Sequence, residues 1–520
     1  MPQELSQSLD PITDMLARIG RKGVKLWAEN GQLHYRAAKG SLTDEEIEAL
    51  RRNKDQLVSI LERATNAVTA GPTVAISLSH SEYAELSFSQ EEHWHRYKLH
   101  SSYVPRTIAA AIRMKGCVDL ALLRNSIAEV VLRHRALRTR VVVCDGKPMQ
   151  QVSELVDFKF EVQDLTALLP LLRDLEVKRL IEALILEPIN VSDGPLWEAR
   201  LLKLHSEECV LVVVMEHIIS DARSLQILLR DVFSNYAQLL RGRRTSLPAI
   251  PVQFTEYAEW QKRVCDSPPG GRSSYWTTRL SGRPRVRFPD DRDLLRNNGF
   301  GLDRIHIEIN PKRRASLLTW SRFIKTTPSM AVFTAYAALI CRWCGVSDIV
   351  IHYVIDGRTS DKVQNTIGYF AKLLPIRVEF HKADTFVSLL KRITVEYCKA
   401  YELSDYYHLN GRIPTPDFLS NSSFNWIAQD NNNSVGESAT EGAIRCSPIS
   451  FEPPIPETIE VDIEPAIVLS DSGREVSGGI YFPRNRFSLA RMQRFASNFG
   501  VFMDVLLERP GESVYDVALS

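Results

Sequence analysis

A histidine and an aspartate follow the most apolar stretch of this chain. Residues 209–215, CVLVVVM, are mostly β-branched, which is typical of a strand buried on both faces. Glu216, His217, Ser220 and Asp221 come next, and apolar residues then recur at helical spacing, with Ser220 or Asp221 able to cap the helix. Imidazole exchanges protons near neutral pH, so His217 is a candidate for general acid–base chemistry. The alternative is a structural histidine beside a core strand.

Length and composition restrict the class of protein. The 520 residues predict two or three domains. Lys and Arg number 64 against 63 Asp and Glu, a net charge of +1, so the chain has no general attraction to nucleic acid or to an anionic membrane. No apolar run approaches a membrane span, and the first residues lack the pattern of a signal peptide. We therefore expect a cytoplasmic protein that binds neither nucleic acid nor membrane.

The eight cysteines are scattered and lie mostly in apolar surroundings, which is typical of thiols in a reducing cytosol. Cys341 and Cys344 form a CxxC at the end of a helical pattern, without a second pair nearby to complete a zinc site. We interpret them as buried helix residues and expect no metal site.

Changes in pattern along the chain predict its organisation. Residues 1–65 form a small unit of their own, and 66–82 are small, polar residues with a Gly-Pro pair, typical of a linker. Strand and helix patterns then alternate in two similar halves, 83–250 and 251–520. The predicted fold class is α+β, with two lobes and a cleft between them that could hold a substrate.

The first unit contains a predicted β-hairpin between two helices. The turn is Asn30-Gly31, and period-two alternation pairs Leu26 with Tyr35 and Ala28 with Leu33 on the core face. The opposite face and its surroundings carry basic and aromatic residues suited to capturing an acidic peptide by strand addition. These candidate docking residues are Arg21, Lys22, Lys25, Trp27, His34 and Arg36. The residues alone equally allow that Trp27 packs on a helix and the charges are solvated.

Six segments resemble the condensation domain of nonribosomal peptide synthetases, and they occur in that family's order. They are SFSQEEHW (87–94) for SxxQxRxW, RHRALRTR (133–140) for RHxxLRT, MEHIISDARS (215–224) for MHHxxxDGxS, FTEYAEWQ (254–261) and YWTTRLSG (275–282) for the midpoint signatures, and IGYFAKLLPIRV (367–378) for IGxFVNTLxLR. The resemblance implies two chloramphenicol-acetyltransferase-like lobes that form a pseudo-dimer.

The resemblance also implies an activity, amide formation. An upstream carrier protein delivers an acyl or peptidyl thioester on a phosphopantetheine arm, a downstream carrier delivers an aminoacyl thioester, and the chain itself binds no cofactor. The family's catalytic histidine corresponds to His217, which acts as a general base or as a hydrogen-bonding positioner. The family's aspartate corresponds to Asp221, expected to orient the loop through a salt bridge with Arg133 or else Arg138.

Three positions depart from the family's motifs. Glu216 stands in place of the first histidine, Ala222 in place of the glycine after the aspartate, and Glu92 in place of the first motif's arginine. Strand alternation predicts that Glu216 faces away from His217, where a buried carboxylate needs a partner or a proton. Ala222 is expected to narrow the acceptor entrance slightly. The DxxxxD motif of the heterocyclising subfamily is absent, which argues against thiazoline or oxazoline formation.

Residues 1–65 resemble the tubulysin-type N-terminal docking domain, especially in GVKLWAENGQLHYRAAKGSLT. Such units bind the C-terminal peptide of the preceding synthetase subunit, and the resemblance favours the peptide-capture interpretation of the hairpin. The chain ends at VYDVALS, where the family's linker to an adenylation domain begins. We therefore expect an adenylation domain to follow in a longer subunit.

Two other functions remain open at this point. One is a non-catalytic, condensation-like platform that recruits carrier proteins, although such a platform has no need for His217. The other is a stand-alone acyltransferase that uses a free amine, against which the docking-like N-terminus stands. The sequence does not determine the donor, the acceptor, their stereochemistry, the product or the oligomeric state.

Overall fold

The chain divides into two compact units, Met1–Ala75 and Ile76–Ser520. The computed structural model describes residues 25–29, 32–36, 43, 48, 50, 52–54, 81–99, 107–243, 247–266, 272–282, 286–291, 301–410, 422–428, 444–449, 451 and 464–519. In the first unit, β1 (Lys25–Glu29) pairs antiparallel with β2 (Gln32–Arg36). The register places Leu26 opposite Tyr35 and Ala28 opposite Leu33, so the predicted hairpin register is confirmed.

The second unit consists of alternating strands and helices. Its first half contains β3 Tyr83–Glu85, α1 Phe88–Leu99, β4 Thr107–Lys115, α2 Leu120–Arg133, β5 Thr139–Cys144, β6 Lys147–Val152, β7 Lys159–Asp164, α3 Pro170–Leu186, β8 Trp197–His205, β9 Glu208–Glu216 and α4 Ala222–Leu240. Its second half contains α5 Phe254–Asp266, α6 Arg272–Leu280, β10 Leu302–Ile309, α7 Pro311–Phe323, α8 Pro328–Cys344, β11 Asp348–Ile355, β12 Lys372–Glu379, α9 Phe386–Glu402, β13 Ser423–Ala428, β14 Arg445–Pro448, β15 Ala466–Asp471, β16 Val476–Pro483 and α10 Leu489–Glu508.

Strand β9 lies at the centre of the first lobe. The sheet order is β14-β4-β9-β8-β7, and β9 is antiparallel to both of its neighbours. Leu211 and Met215 pack into a core with helices α2 and α4, whereas Val210 and Val212 pack into a second core with α3. Both faces of the strand are therefore buried, as the apolar run 209–215 predicts.

The second lobe is built on a six-stranded sheet with the order β10-β16-β15-β13-β11-β12. Helix α8 lies in the core of this lobe and is buried from Met330 to Cys341. Both CxxC cysteines are helix residues as predicted, but Cys341 is buried and Cys344 is only partly buried. Among the described residues, no single helix is long and apolar enough to cross a membrane. The pair α7 and α8 meets those criteria only jointly and is bent by 100°.

The two lobes share part of their structure. Strand β14 belongs to the second half of the chain but pairs antiparallel with β4 of the first lobe's sheet. Phe254 and Trp260 of α5, together with Phe370, join the core formed by α2, β9 and α4. Residues on the second side of the predicted boundary at 250/251 therefore also build the first lobe's core, and the exact bounds of the lobes stay a prediction.

Candidate functional site

His217 begins a short 3₁₀ turn, His217–Ile219, directly after β9. Its Nδ1 lies 2.7 Å from the carbonyl oxygen of Ser220. Because a carbonyl oxygen can only accept, Nδ1 carries the proton and the neutral ring keeps its lone pair on Nε2. His217 is half-buried, so part of its side chain remains accessible to solvent. The ring can therefore accept a proton or hydrogen bond at Nε2 from a neighbouring ligand.

Asp221 caps α4 and also joins the two lobes. Its Oδ1 accepts hydrogen bonds from the backbone N–H of Ser224 at 2.7 Å and from the Ser224 hydroxyl at 2.8 Å. Arg358 donates to both oxygens, from Nη1 to Oδ2 at 3.0 Å and from Nη2 to Oδ1 at 3.1 Å. The backbone N–H groups of Phe370 and Ala371 also donate to Oδ2. This one carboxylate therefore fixes the end of the His217 turn to two segments of the second lobe.

The segment that contacts Asp221 needs two glycines because the backbones approach closely. Gly357 has a φ of +74°, and a Cβ on it would lie 1.9 Å from the carbonyl oxygen of Phe370. A Cβ on Gly368 would lie 2.1 Å from the Phe254 ring. Gly368 instead brings its N–H and its carbonyl within 3.0 and 2.8 Å of the Ser224 hydroxyl. These contacts hold residues 367–371 in a non-strand conformation, and β12 begins after them, at Lys372.

The Asp221–Arg358 pair is buried and ionised. Burial by itself would raise the pKa of Asp221, but the Arg358 guanidinium and the Ser224 donors outweigh it and lower the pKa of this carboxyl below its ordinary value. Burial likewise would lower the pKa of Arg358, but Asp221 and Asp356 raise it. Since every oxygen of Asp221 has donors, this pair meets the condition under which a buried ion pair is tolerated.

The predicted partner of Asp221 is wrong, because Arg358 and not Arg133 or Arg138 binds the carboxylate. Arg133 contacts Asp231, with its Nε 3.3 Å from Oδ2, and donates to the Pro248 carbonyl. Arg138 donates to backbone carbonyls at the end of α2 and after β6. Both arginines brace the first lobe internally, whereas the partner of Asp221 comes from the second lobe.

Glu216 is fully buried and contacts a second histidine. Its Oε1 lies 2.9 Å from Nε2 of His93 on α1, and the His93 side chain is also buried. The carboxylate that the sequence requires to have a partner thus has one. Glu92, at the motif's arginine position, forms an ion pair with Arg96 one turn along the same helix.

Tyr369 places an aromatic ring against His217 from the other lobe. The ring centroids of His217 and Tyr369 are 4.4 Å apart, and the His93 ring lies 6.3 Å from His217 and 6.1 Å from Tyr369. Sequence reasoning missed His93, Arg358 and Tyr369. A signal was present for Arg358, because the apolar strand 348–355 ends in Asp-Gly-Arg much as β9 ends in the His217 turn.

The structure brings together only part of the predicted site. His217, Glu216, Ala222 and Asp221 lie on one strand–turn–helix. In the described part of the chain, no group of three His, Cys, Asp or Glu side chains is arranged to hold a metal ion. Among the predicted docking residues, Arg21 and Lys22 lie outside the described residues. For the other docking residues, Lys25, Trp27, His34 and Arg36, the structure describes the paired backbone, and the prediction on their side chains stays a prediction.

Comparison with known families identifies the larger unit. Residues 80–520 match the family described as the condensation domain. This chain belongs to the condensation-domain family. Its fold is that family's chloramphenicol-acetyltransferase-like fold, and its enzyme class is that of amide-forming acyltransferases of nonribosomal peptide synthetases. Residues 12–63 match the TubC N-terminal docking domain, which supports docking between synthetase subunits.

Curated relatives of this condensation domain are large synthetases. One linear gramicidin synthase protein of Brevibacillus parabrevis is 30% identical over 330 residues, 63% of this chain and 6% of that protein. A second linear gramicidin synthase protein from the same organism is 25% identical over 470 residues, 89% of this chain and 9% of that protein. The chain thus spans less than a tenth of the length of either relative.

A solved structure confirms the fold across almost the whole length. It is described as the molecular basis for condensation domain-mediated chain release from the enacyloxin polyketide synthase. That structure superposes with a TM-score of 0.68 at 22% identity and covers 98% of this chain and 97% of its own.

Proposed function

We propose that this condensation domain forms an amide bond between two carrier-bound substrates. The donor is an acyl or peptidyl thioester on the phosphopantetheine arm of an upstream carrier, and the acceptor is an aminoacyl thioester on a downstream carrier. The acceptor's amine nitrogen bonds to the donor carbonyl carbon, the carbon–sulfur bond breaks, and the upstream arm leaves as a thiol. One proton passes from the amine to the departing sulfur, so atoms and charge balance.

The observation that supports this proposal is the geometry of His217. Its Nδ1–H is engaged by the Ser220 carbonyl, so Nε2 is the nitrogen that accepts the amine proton or positions the amine by a hydrogen bond. The turn is tied to the second lobe through Asp221 and Arg358, which limits its movement relative to that lobe. The platform alternative gives no reason to hold an imidazole in this arrangement.

Partners follow from the same proposal. The N-terminal unit binds the C-terminal peptide of the preceding subunit, and an adenylation domain follows in the longer subunit. The reaction takes place in the cytoplasm.

Ala222 is the first residue of α4, directly after Asp221. Its methyl group narrows the entrance for the acceptor arm.

Transfer between loaded carriers tests the chemistry of His217. A panel of aminoacyl-loaded donor carriers is mixed with a glycyl-loaded acceptor carrier, and the dipeptidyl product is measured on the acceptor by intact-protein mass spectrometry. We expect His217→Ala to lower the rate by about 10²–10⁴-fold, the range for loss of an acid–base group, while the fold is retained.

The control is His205→Ala, which removes an exposed histidine at the end of β8 and should leave the rate unchanged. Transfer by His217→Ala at the wild-type rate would contradict the proposed role of His217. No product with any donor while both carriers bind would favour the platform. Equal turnover with free glycinamide would favour the stand-alone acyltransferase.

A further inference from the structure

Helix α1 holds the chain on both sides of His217. Gln90 and His93 are three residues apart, lie on one face of the helix and are both buried. Gln90 donates from Nε2 to the carbonyl oxygen of Ile218 at 2.9 Å, and His93 lies 2.9 Å from Glu216. The residues immediately before and after His217 are therefore both bound to the same helix.

The His93–Glu216 contact is an unusual one to find in a core. Glu216 is 0% exposed and His93 is 3% exposed. A buried carboxylate and a buried imidazole are each costly, and such groups are tolerated when each satisfies the other. Glu216 occupies the position of the motif's first histidine, and His93 occupies a variable position of the SxxQxRxW element. Glu216, which departs from the family's motif, therefore has a partner on α1, namely His93.

The pair also lies against the rings of the site. The His93 ring is 6.3 Å from the His217 ring and meets the Tyr369 ring edge-on, at 6.1 Å and 85°. A displacement of the His93 ring would therefore also displace Glu216 and Tyr369 and, through these two residues, His217.

We propose that His93 and Glu216 act as a coupled positioning unit for His217. The pair fixes the last residue of β9, and the Gln90 bond fixes Ile218, so the backbone of the turn holds Nδ1 on the Ser220 carbonyl and presents Nε2 to the substrate. This role rests on the proposed function, and neither residue itself touches the reacting atoms.

A double-variant cycle separates positioning from simple stability. His93→Leu and Glu216→Leu each leave one buried polar group without its partner, so each lowers the melting temperature. The double variant removes both groups and regains much of the stability. We expect kcat to fall at least about tenfold in both single variants with KM within about twofold, because geometry is lost while binding is kept. The double variant keeps the low kcat.

Two controls match this cycle. His93→Gln retains an N–H donor at the same place and should keep most of kcat. His95→Leu changes an exposed histidine two residues along the same helix and should alter neither kcat nor melting temperature. A double variant whose kcat returns to the wild-type value together with its stability would overturn the positioning role.

A readout independent of transfer distinguishes this inference from the proposed function. Carbethoxylation of His217 by diethyl pyrocarbonate is followed by peptide mass spectrometry, with exposed His205 as the internal reference. We expect the rate at His217 relative to His205 to change in Glu216→Leu and to stay unchanged in His95→Leu. An unchanged rate in Glu216→Leu would overturn the positioning unit whatever the enzyme does. A changed rate in a protein that transfers nothing would support the unit and contradict the proposed function.

Discussion

The Nδ1 atom of His217 lies 2.7 Å from the carbonyl oxygen of Ser220. The Tyr369 ring packs against the same imidazole, with the two ring centroids 4.4 Å apart. The first contact selects the tautomer and the second restricts the orientation of the ring. These two restraints come from different lobes, since Ser220 follows β9 and Tyr369 precedes β12. The imidazole of His217 is thus placed by contacts that neither lobe supplies alone.

Substitution of Tyr369 tests the second restraint. Tyr369→Ala leaves a gap beside the imidazole, and we expect kcat to fall by about 10–10²-fold, as small displacements of a reacting group do. Tyr369→Phe keeps the ring and should retain most of the rate. The measurement is kcat and KM in the carrier transfer assay. A Phe variant as slow as the Ala variant would assign the role to the hydroxyl and not to the ring contact.

Among the elements, the link between α4 and the 356–371 segment decides how the two lobes meet at the site. Asp221 ends the turn after β9, and Arg358 follows β11 by three residues. The guanidinium also lies over the Phe370 ring, with Cζ 4.3 Å from the ring centroid. One aspartate therefore combines a helix cap, an ion pair and two backbone contacts in a single buried position.

Asp221→Asn should cost both stability and rate. Breaking a buried ion pair by changing one partner typically destabilises by about 3–5 kcal/mol, and we expect a loss of unfolding free energy in that range. Asp356→Asn is the matched control, because Asp356 pairs with the same arginine but its side chain is 47% exposed. We expect that variant to lose less than about 1 kcal/mol. Denaturant unfolding and carrier transfer would be measured together.

The pH dependence of stability tests the same comparison further. Because the pKa of Asp221 is lowered in the fold, its contribution is present above the unfolded pKa and is lost as the pH falls through the folded value. The stability difference between wild type and Asp221→Asn should therefore shrink below about pH 4. A variant that transfers slowly but melts like wild type would show that Asp221 does not brace the lobes.

At the scale of the molecule, elements from the second half of the condensation unit pack into its first half. Strand β14 crosses to the first lobe's sheet, and α5 packs into the core shared with α2 and α4. Such crossing elements make the two lobes one compact unit. The N-terminal residues Met1–Ala75 form a compact unit of their own.

The hairpin register makes a prediction for docking. Lys25 lies directly opposite Arg36, and Trp27 lies opposite His34. An acidic partner should be attracted to these basic residues. We expect the 520-residue chain to bind an Asp- and Leu-rich C-terminal tail peptide with a Kd on the order of micromolar. Binding should weaken between about 0.05 and 0.5 M salt, because exposed charges are screened.

Calorimetry with charge-reversed variants checks this prediction. Lys25→Glu and Arg36→Glu should each weaken binding, whereas Lys147→Glu, on an exposed lysine of β6, should not. Binding that is indifferent to salt and to both reversals would contradict electrostatic docking.

The local sequence determined the elements and the family. The apolar run before His217, the cap at Asp221, the Asn-Gly hairpin register and the buried helix α8 all follow from patterns within about 20 residues, where periodicity and turn chemistry act. The order of six motifs was enough to predict two lobes and an amide-forming enzyme.

Only the tertiary structure decided which residues complete the site. Arg358 is 137 positions from Asp221, His93 is 123 from Glu216, and Tyr369 meets His217 from the other lobe. No periodicity connects such distant positions, and the nearby Arg133 and Arg138 were the wrong choice because their own helix end and Asp231 engage them. Long-range pairing depends on how the lobes pack. The burial that this packing creates requires each charged group to find its partner there.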